Sequence, residues 1–149
     1  MLAVLRRAIA VALVATALPT LRAMITASAG ATPGTQALVI RLEPRDFVLG
    51  AYQGRLEYER GSLQVLSLAA SQRDNGTRLY NAADSAKGVI RFAGYTTAGF
   101  TSTTVLTLVV RPLKSLAAAK VRVELDVAGD LDGKSIPKDR LIPARGAHQ

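Results

Sequence analysis

Residues 52–59, Tyr-Gln-Gly-Arg-Leu-Glu-Tyr-Glu, constrain the fold of this chain most tightly. Tyr52, Gly54, Leu56 and Tyr58 point one way and Gln53, Arg55, Glu57 and Glu59 the other. A period of two is the mark of a strand with one buried and one wet face, and it is incompatible with an amphipathic helix. Gly61-Ser62 breaks the run, and Leu63-Gln64-Val65-Leu66 opens a second extended segment. The pattern returns near the C-terminus, where Val121, Val123, Leu125 and Val127 alternate with Arg122, Glu124 and Asp126. Ala37–Leu42 reads as a strand stopped by Pro44. Val105–Val110, ended by Pro112, reads as a central strand buried on both sides. Between them Leu113–Lys120 holds one short helical turn, and Asp74-Asn75-Gly76-Thr77 carries the Asn-Gly pair favoured in tight reversals. Short strands at near-regular spacing, with no long segment of period 3.6 beyond the N-terminus, predict an all-β, two-sheet antiparallel β-sandwich.

The N-terminus reads as an export leader, a signal helix ahead of the sandwich. Arg6-Arg7 precede the apolar run Ala8–Leu18, and the small residues Ala27-Ser28-Ala29 follow. A positive start, a short apolar stretch and an A-x-A site define a secretory signal peptide. Eleven apolar residues are too few to span a bilayer, which needs about 20, so no stable membrane span is expected after cleavage. Cleavage after Ala29 leaves about 120 residues, the size of a single domain; cleavage after Ala23 is the alternative. The implied division is 1–29 leader, 30–36 short linker, 37–142 sandwich and 143–149 flexible tail. The expected location is secreted, periplasmic or at the cell surface. The absence of cysteine leaves stability to packing alone.

Charge and chemistry narrow the function. The full chain carries 19 basic and 11 acidic residues, and removing Arg6, Arg7 and Arg22 with the leader still leaves an excess of basic residues. These are dispersed, with no aromatic residues interleaved, which argues against nucleic-acid binding. The single histidine, His148, lies one residue from the C-terminus, so no Ser-His-Asp, Cys-His or multi-histidine metal site can be assembled. Glu57 and Glu59 share a strand face, but it is the one opposite Tyr52 and Leu56, and no cleft is marked around them. The chain is therefore not expected to be an enzyme.

Three blocks in order carry a resemblance. The first is Gly50-Ala51-Tyr52 leading through Leu56-Glu57-Tyr58-Glu59 to Leu63-Gln64-Val65. The second runs from Asn81 through Gly88-Val89-Ile90-Arg91-Phe92-Ala93-Gly94 and Gly99-Phe100 to Val105–Val110. The third is Gly129-Asp130-Leu131-Asp132-Gly133. Together they resemble the cohesin-like family of secreted β-sandwich domains, which share an architecture with certain carbohydrate-binding modules. In that family Tyr-Asp-Pro is usual where Tyr58-Glu59-Arg60 stands. The resemblance implies a jelly-roll or cohesin-like sandwich and a non-catalytic recognition role. Its partner would be a dockerin-like protein or a polysaccharide. A structural component of the bacterial envelope that pairs through a sheet edge is the alternative. Such domains begin with an extra strand, and here only Gly30–Gln36 stands before Ala37, which implies either a short or missing edge strand open to a partner or an edge closed by the C-terminal segment.

Two candidate sites follow. Pyranose rings stack on flat aromatic faces, and with no Trp present Tyr80, Tyr95 and Phe100, with Thr96 and Thr97 between the last two, are the candidates for a ligand groove. The alternative for Tyr95 and Phe100 is a plug at the end of the sandwich. Asp130 and Asp132 resemble the start of a calcium loop, but position twelve is Leu141. An Asp-Gly turn is the simpler reading; no cofactor is required, and calcium is the one candidate ion.

Overall fold

Strand alternation translates directly into two stacked sheets. The protein is described here by a computed structural model covering residues 18–72 and 74–147. The strands are β1 Thr20–Ala29, β2 Gln36–Arg45, β3 Leu49–Glu57, β4 Leu63–Ala70, β5 Thr77–Asn81, β6 Val89–Tyr95, β7 Thr104–Pro112 and β8 Arg122–Asp130. Two-residue strands β9, Leu141–Ile142, and β10, Ala144–Arg145, follow; the one α-helical turn among the described residues, α1, spans Leu116–Ala119. One sheet runs β4-β7-β2-β1-β9 and the other β10-β8-β3-β6-β5. All strand pairs are antiparallel except β1 with β9. The expected all-β sandwich is the fold observed.

The core lies between the sheets. Leu21 and Ile25 of β1, Leu38, Ile40 and Leu42 of β2, and Leu106, Leu108 and Val110 of β7 face Tyr52 and Leu56 of β3, Ile90 and Phe92 of β6, and Val123 and Leu125 of β8. Each large aliphatic side chain buried this way stabilises by roughly 1.5–3 kcal/mol. Tyr52 and Tyr58 are buried, as their strand phase predicts. The helical turn forms where Ser115 Oγ accepts the Ala118 N–H at 3.2 Å, and it ends at Lys120 in the left-handed region.

The largest departure from the sequence reading is at the front. Residues 20–29, assigned to the leader, form β1, paired with β2 from Thr20↔Arg45 to Ala29↔Gln36. The strand expected to be missing is present. Residues 30–35 are not a linker but a hairpin turn, in which the Gly30 N–H donates to the Thr35 carbonyl at 2.9 Å and Gly34 takes φ 77°. The alternation Leu21, Ala23, Ile25, Ala27 is genuine, but two of its four inward residues are alanines and read as leader. At the far end Ala144 and Arg145 pair with Val123 and Arg122, and the Gly146 N–H donates to the Val121 carbonyl. The described part of the expected tail is therefore built into the sheet. Residues 1–17, which hold the apolar leader run except for Leu18, and His148 lie outside the described residues.

Three local departures have identifiable causes. The β3–β8 register slips between Gln53 and Gly54, which face Val127 and Leu125. This bulge at Asp126 reverses the strand phase, so Ala128 is buried and Val127 is exposed. In β5, Arg78 points inward and Leu79 outward, the reverse of a hydrophobicity reading. β2 continues through Pro44 because its register with β7 ends at Arg41↔Thr104, leaving Pro44 paired only with β1. A residue without an N–H is tolerated where one side of the strand has no ladder.

Candidate functional site

The outer face of the β8-β3-β6-β5 part of the second sheet is built from cross-strand rows. Val127, Gln53, Ala93 and Leu79 are paired in one row, and Gly129, Ala51, Tyr95 and Thr77 in the next. Leu79, Tyr95 and Val127 are exposed by 58%, 58% and 45%. Ala93, Ala51 and Gly129 keep the surface low beside the exposed Gln53, and a hollow of about 450 Å³ opens over both rows toward Asp130 and Ser135. The rigid sheet fixes these side chains without any loop having to order.

Charge borders this apolar patch. In the third row Glu124, Arg55, Arg91 and Asn81 are paired, followed by Arg122, Glu57 and Val89. Arg55 Nε donates to Glu57 Oε1 at 2.6 Å and its Nη1 to Asp126 Oδ1; Arg122 Nε reaches Glu57 Oε2 at 2.6 Å. Arg145 pairs with Glu124 at 3.4 Å. The Arg55 hydrogen bond, joined by Arg122, holds the Glu57 carboxyl below the usual range, and Glu57 in turn raises Arg55. These pairs are too solvated to contribute much stability. Arg91, directly opposite Arg55, has no acidic partner among the described residues.

The sequence-derived aromatic candidates do not form one surface. Tyr95 stands on the outer face. Tyr80 shares the inward phase of its pairing partner Phe92, and its hydroxyl donates to the Leu68 carbonyl of β4 at 3.3 Å, strapping one sheet edge to the other. Phe100 is half-buried, with its ring centre 5.3 Å from that of Tyr52 and the Arg78 guanidinium 4.7 Å above it. Of the two readings offered for this loop, plugging fits Phe100 and exposure fits Tyr95. Thr96 Oγ1 accepts the Ala98 N–H at 3.2 Å, shaping the turn, and Thr97 is exposed. Asp130 Oδ1 accepts the N–H groups of Asp132 and Lys134, each at 2.9 Å, and Asp132 is exposed. No group of three or more metal-ligating side chains converges among the described residues.

Sequence reasoning missed the polar centre that holds this loop in place. Arg78 is paired through two nitrogens with Asp74, at 2.5 and 3.0 Å, and both side chains are almost fully buried. Asp74 also accepts the N–H groups of Gly76, Thr101 and Ser102, while Arg78 donates to the Ser102 carbonyl at 3.0 Å. Hydrogen bonding from Arg78, aided by the backbone donors, holds the Asp74 carboxyl far below its ordinary value. Burial pushes the adjacent Tyr52 phenol up to about 12. The available signal was an acid four residues before a basic residue, across an Asn-Gly reversal.

The fold and face define a β-sandwich that displays a sheet surface rather than a cleft. No protein-family model and no curated protein matches the chain. Solved structures do. The cohesin module of a Clostridium perfringens family 33 glycoside hydrolase is 11% identical, with a TM-score of 0.61, covering 87% of this chain and 96% of that one. The sixth cohesin of Acetivibrio cellulolyticus scaffoldin B, solved in complex with a dockerin, is 12% identical, with a TM-score of 0.61 and coverages of 87% and 99%. A non-cellulosomal cohesin from Archaeoglobus fulgidus is 16% identical, with a TM-score of 0.55 and coverages of 86% and 92%. The protein therefore has a cohesin-like fold. Among its described residues no helix is long and apolar enough to cross a membrane.

Proposed function

We propose that this protein is an exported, non-catalytic recognition module that holds a protein partner on the outer face of β8-β3-β6-β5. The observation that carries the reading is the exposed, largely apolar pair of rows, with Leu79, Tyr95 and Val127 set among Ala51, Ala93, Gly129 and Gln53 and bordered by the Arg55–Glu57–Arg122 ladder. Contiguous exposed apolar surface rimmed by charge is characteristic of association sites. The cohesin-like fold supports a protein as the occupant, since neighbours of this fold are described in complexes with dockerins. Polysaccharide is the weaker reading because Tyr80, Tyr95 and Phe100 do not present a shared platform.

Calorimetric titration with a panel of dockerin modules and soluble polysaccharides tests this. The expected result is saturable binding to a dockerin-type partner, weakened at least about tenfold by Leu79→Glu or Val127→Glu, as for a central interface residue worth more than 1 kcal/mol. Binding that survives both substitutions, or that is confined to polysaccharides and lost with Tyr95→Ala, sinks the proposal.

One observation favours a second reading, assembly through a sheet edge. Opposite β2, β1 is paired with β9 only at Leu21 and Arg22, so among the described residues no strand lies beside 23–29 on that side. Open edges accept added strands. A monomer at every concentration in size-exclusion chromatography would remove this reading and leave the first intact.

A further inference from the structure

We infer that the export leader ends at Ala17, and that the Ala17–Leu18 peptide bond is the site cut by a membrane-bound signal peptidase. The inference rests on the export reading above and goes beyond it by locating the bond. Two small-residue sites compatible with processing were read from the sequence, after Ala29 and after Ala23, and the fold is incompatible with both. A cut after Ala29 removes all of β1, whose Leu21, Ala23, Ile25 and Ala27 are each at most 3% exposed and belong to the core. It also leaves one side of β2 without its partner over ten consecutive residues. A cut after Ala23 removes Leu21 and Arg22, the two residues that pair with β9, and so leaves β9 with no strand beside it. Either product loses part of the sheet that the rest of the chain is built to complete.

The sequence offers a third site directly ahead of the fold. Ala15-Thr16-Ala17 places alanine at the third and first positions before the cut, the small-residue pattern that signal peptidases read. Met1–Arg7 then supplies the positive start and Ala8–Val14 an apolar stretch of seven residues, within the usual length of such leaders. Leu18, the first residue after the bond, is 55% exposed, as a new chain terminus should be, and β1 begins two residues later at Thr20. Leu18 also supplies an ordinary amide N–H at the scissile bond, with Pro19 one position beyond. The chemistry is hydrolysis. Water adds across the amide, leaving a carboxylate on Ala17 and an α-ammonium on Leu18.

The test uses the full 149-residue chain expressed in a bacterial host with an intact secretory pathway, followed by intact-mass measurement and N-terminal sequencing of the exported protein. One species beginning at Leu18 is expected. Ala17→Leu, which places a bulky side chain at the cut, should abolish that species and accumulate precursor, whereas Ala29→Leu should be processed like the wild type. Processing acts on the unfolded precursor, so poor folding of either variant does not obscure the reading. An exported protein beginning at Met24 or Gly30, or cleavage blocked by Ala29→Leu but not by Ala17→Leu, overturns the inference while leaving export standing. A chain that keeps Met1 and stays in the cytoplasm overturns both.

Discussion

Two turns that look alike in sequence do opposite work in the structure. Asp74-Asn75-Gly76 and Asp130-Leu131-Asp132-Gly133 both place an aspartate ahead of a glycine in a reversal. At the second, Asp130 folds back on the N–H groups of its own turn, Asp132 and Lys134, and its influence stops there. At the first, Asp74 reaches Gly76 locally but also Thr101 and Ser102, more than twenty residues away, and neutralises an arginine inside the sandwich. The difference comes from Arg78. A buried guanidinium requires a carboxylate, so that turn becomes a joint between β5 and the loop leading to β7.

The sharpest way to break the contrast is to remove each aspartate. Asp74→Ala strands a buried charge and should cost about 3–5 kcal/mol of unfolding free energy. Asp130→Ala leaves its donors free to bond water and should cost about 1 kcal/mol; chemical denaturation of both variants measures the gap, and equal losses would mean Asp74 is no more than a turn residue. Glycine substitutions give the next effect. A Cβ at Gly76 would fall 2.2 Å from Phe100 Cε1, whereas one at Gly133 meets nothing but must accept φ 80°. Gly76→Ala should cost about 1–3 kcal/mol through overpacking, and Gly133→Ala about 1 kcal/mol through backbone strain.

Acid titration probes the first turn directly. The folded pKa of Asp74 lies well below its ordinary value of 3.8. Its contribution is therefore fully present above about pH 4 and is lost as pH falls toward the depressed folded value. Asp74→Asn should flatten that part of the stability–pH curve; a curve the substitution leaves unchanged would mean that the Asp74 charge is not what the buried arginine depends on. The smallest expected effect is that of calcium. With Asp130 Oδ1 already accepting two N–H groups, millimolar calcium should leave the melting temperature where it was; a rise abolished by Asp132→Ala would show that the loop holds the ion after all.

Much of the fold was legible because alternation is a strong signal wherever inward residues are large. β3, β7 and most of β8 are located correctly from Tyr52, Leu56, Leu106, Leu108, Val123 and Leu125, although β7 is fully buried only on its inner face, with Thr107 and Val109 half-buried on the other. β1 was hidden because its inward alanines and outward Ser28 imitate the end of a leader. The apolar face was hidden for another reason. Val127 owes its exposure to a bulge, and Leu79 to the inward turn of Arg78; both are settled by partners distant in sequence. Tyr95 was the one member of the proposed aromatic groove to share the outer face with Leu79 and Val127, because strand phase places it there; Tyr80 is exposed too, but at the sheet edge. Tyr80 and Phe100 were taken up by the edge strap and the core.

The parallel pairing of β1 with β9 brings the first strand beside nearly the last one, and β10 then crosses to the opposite sheet. That clasp can close only once residues 141–145 have joined the sheets. Contacts between chain ends carry the greatest loop-closure cost and form late. A copy that has not yet gained residues 141–145 therefore lacks the two short strands that tie its first strand to the opposite sheet.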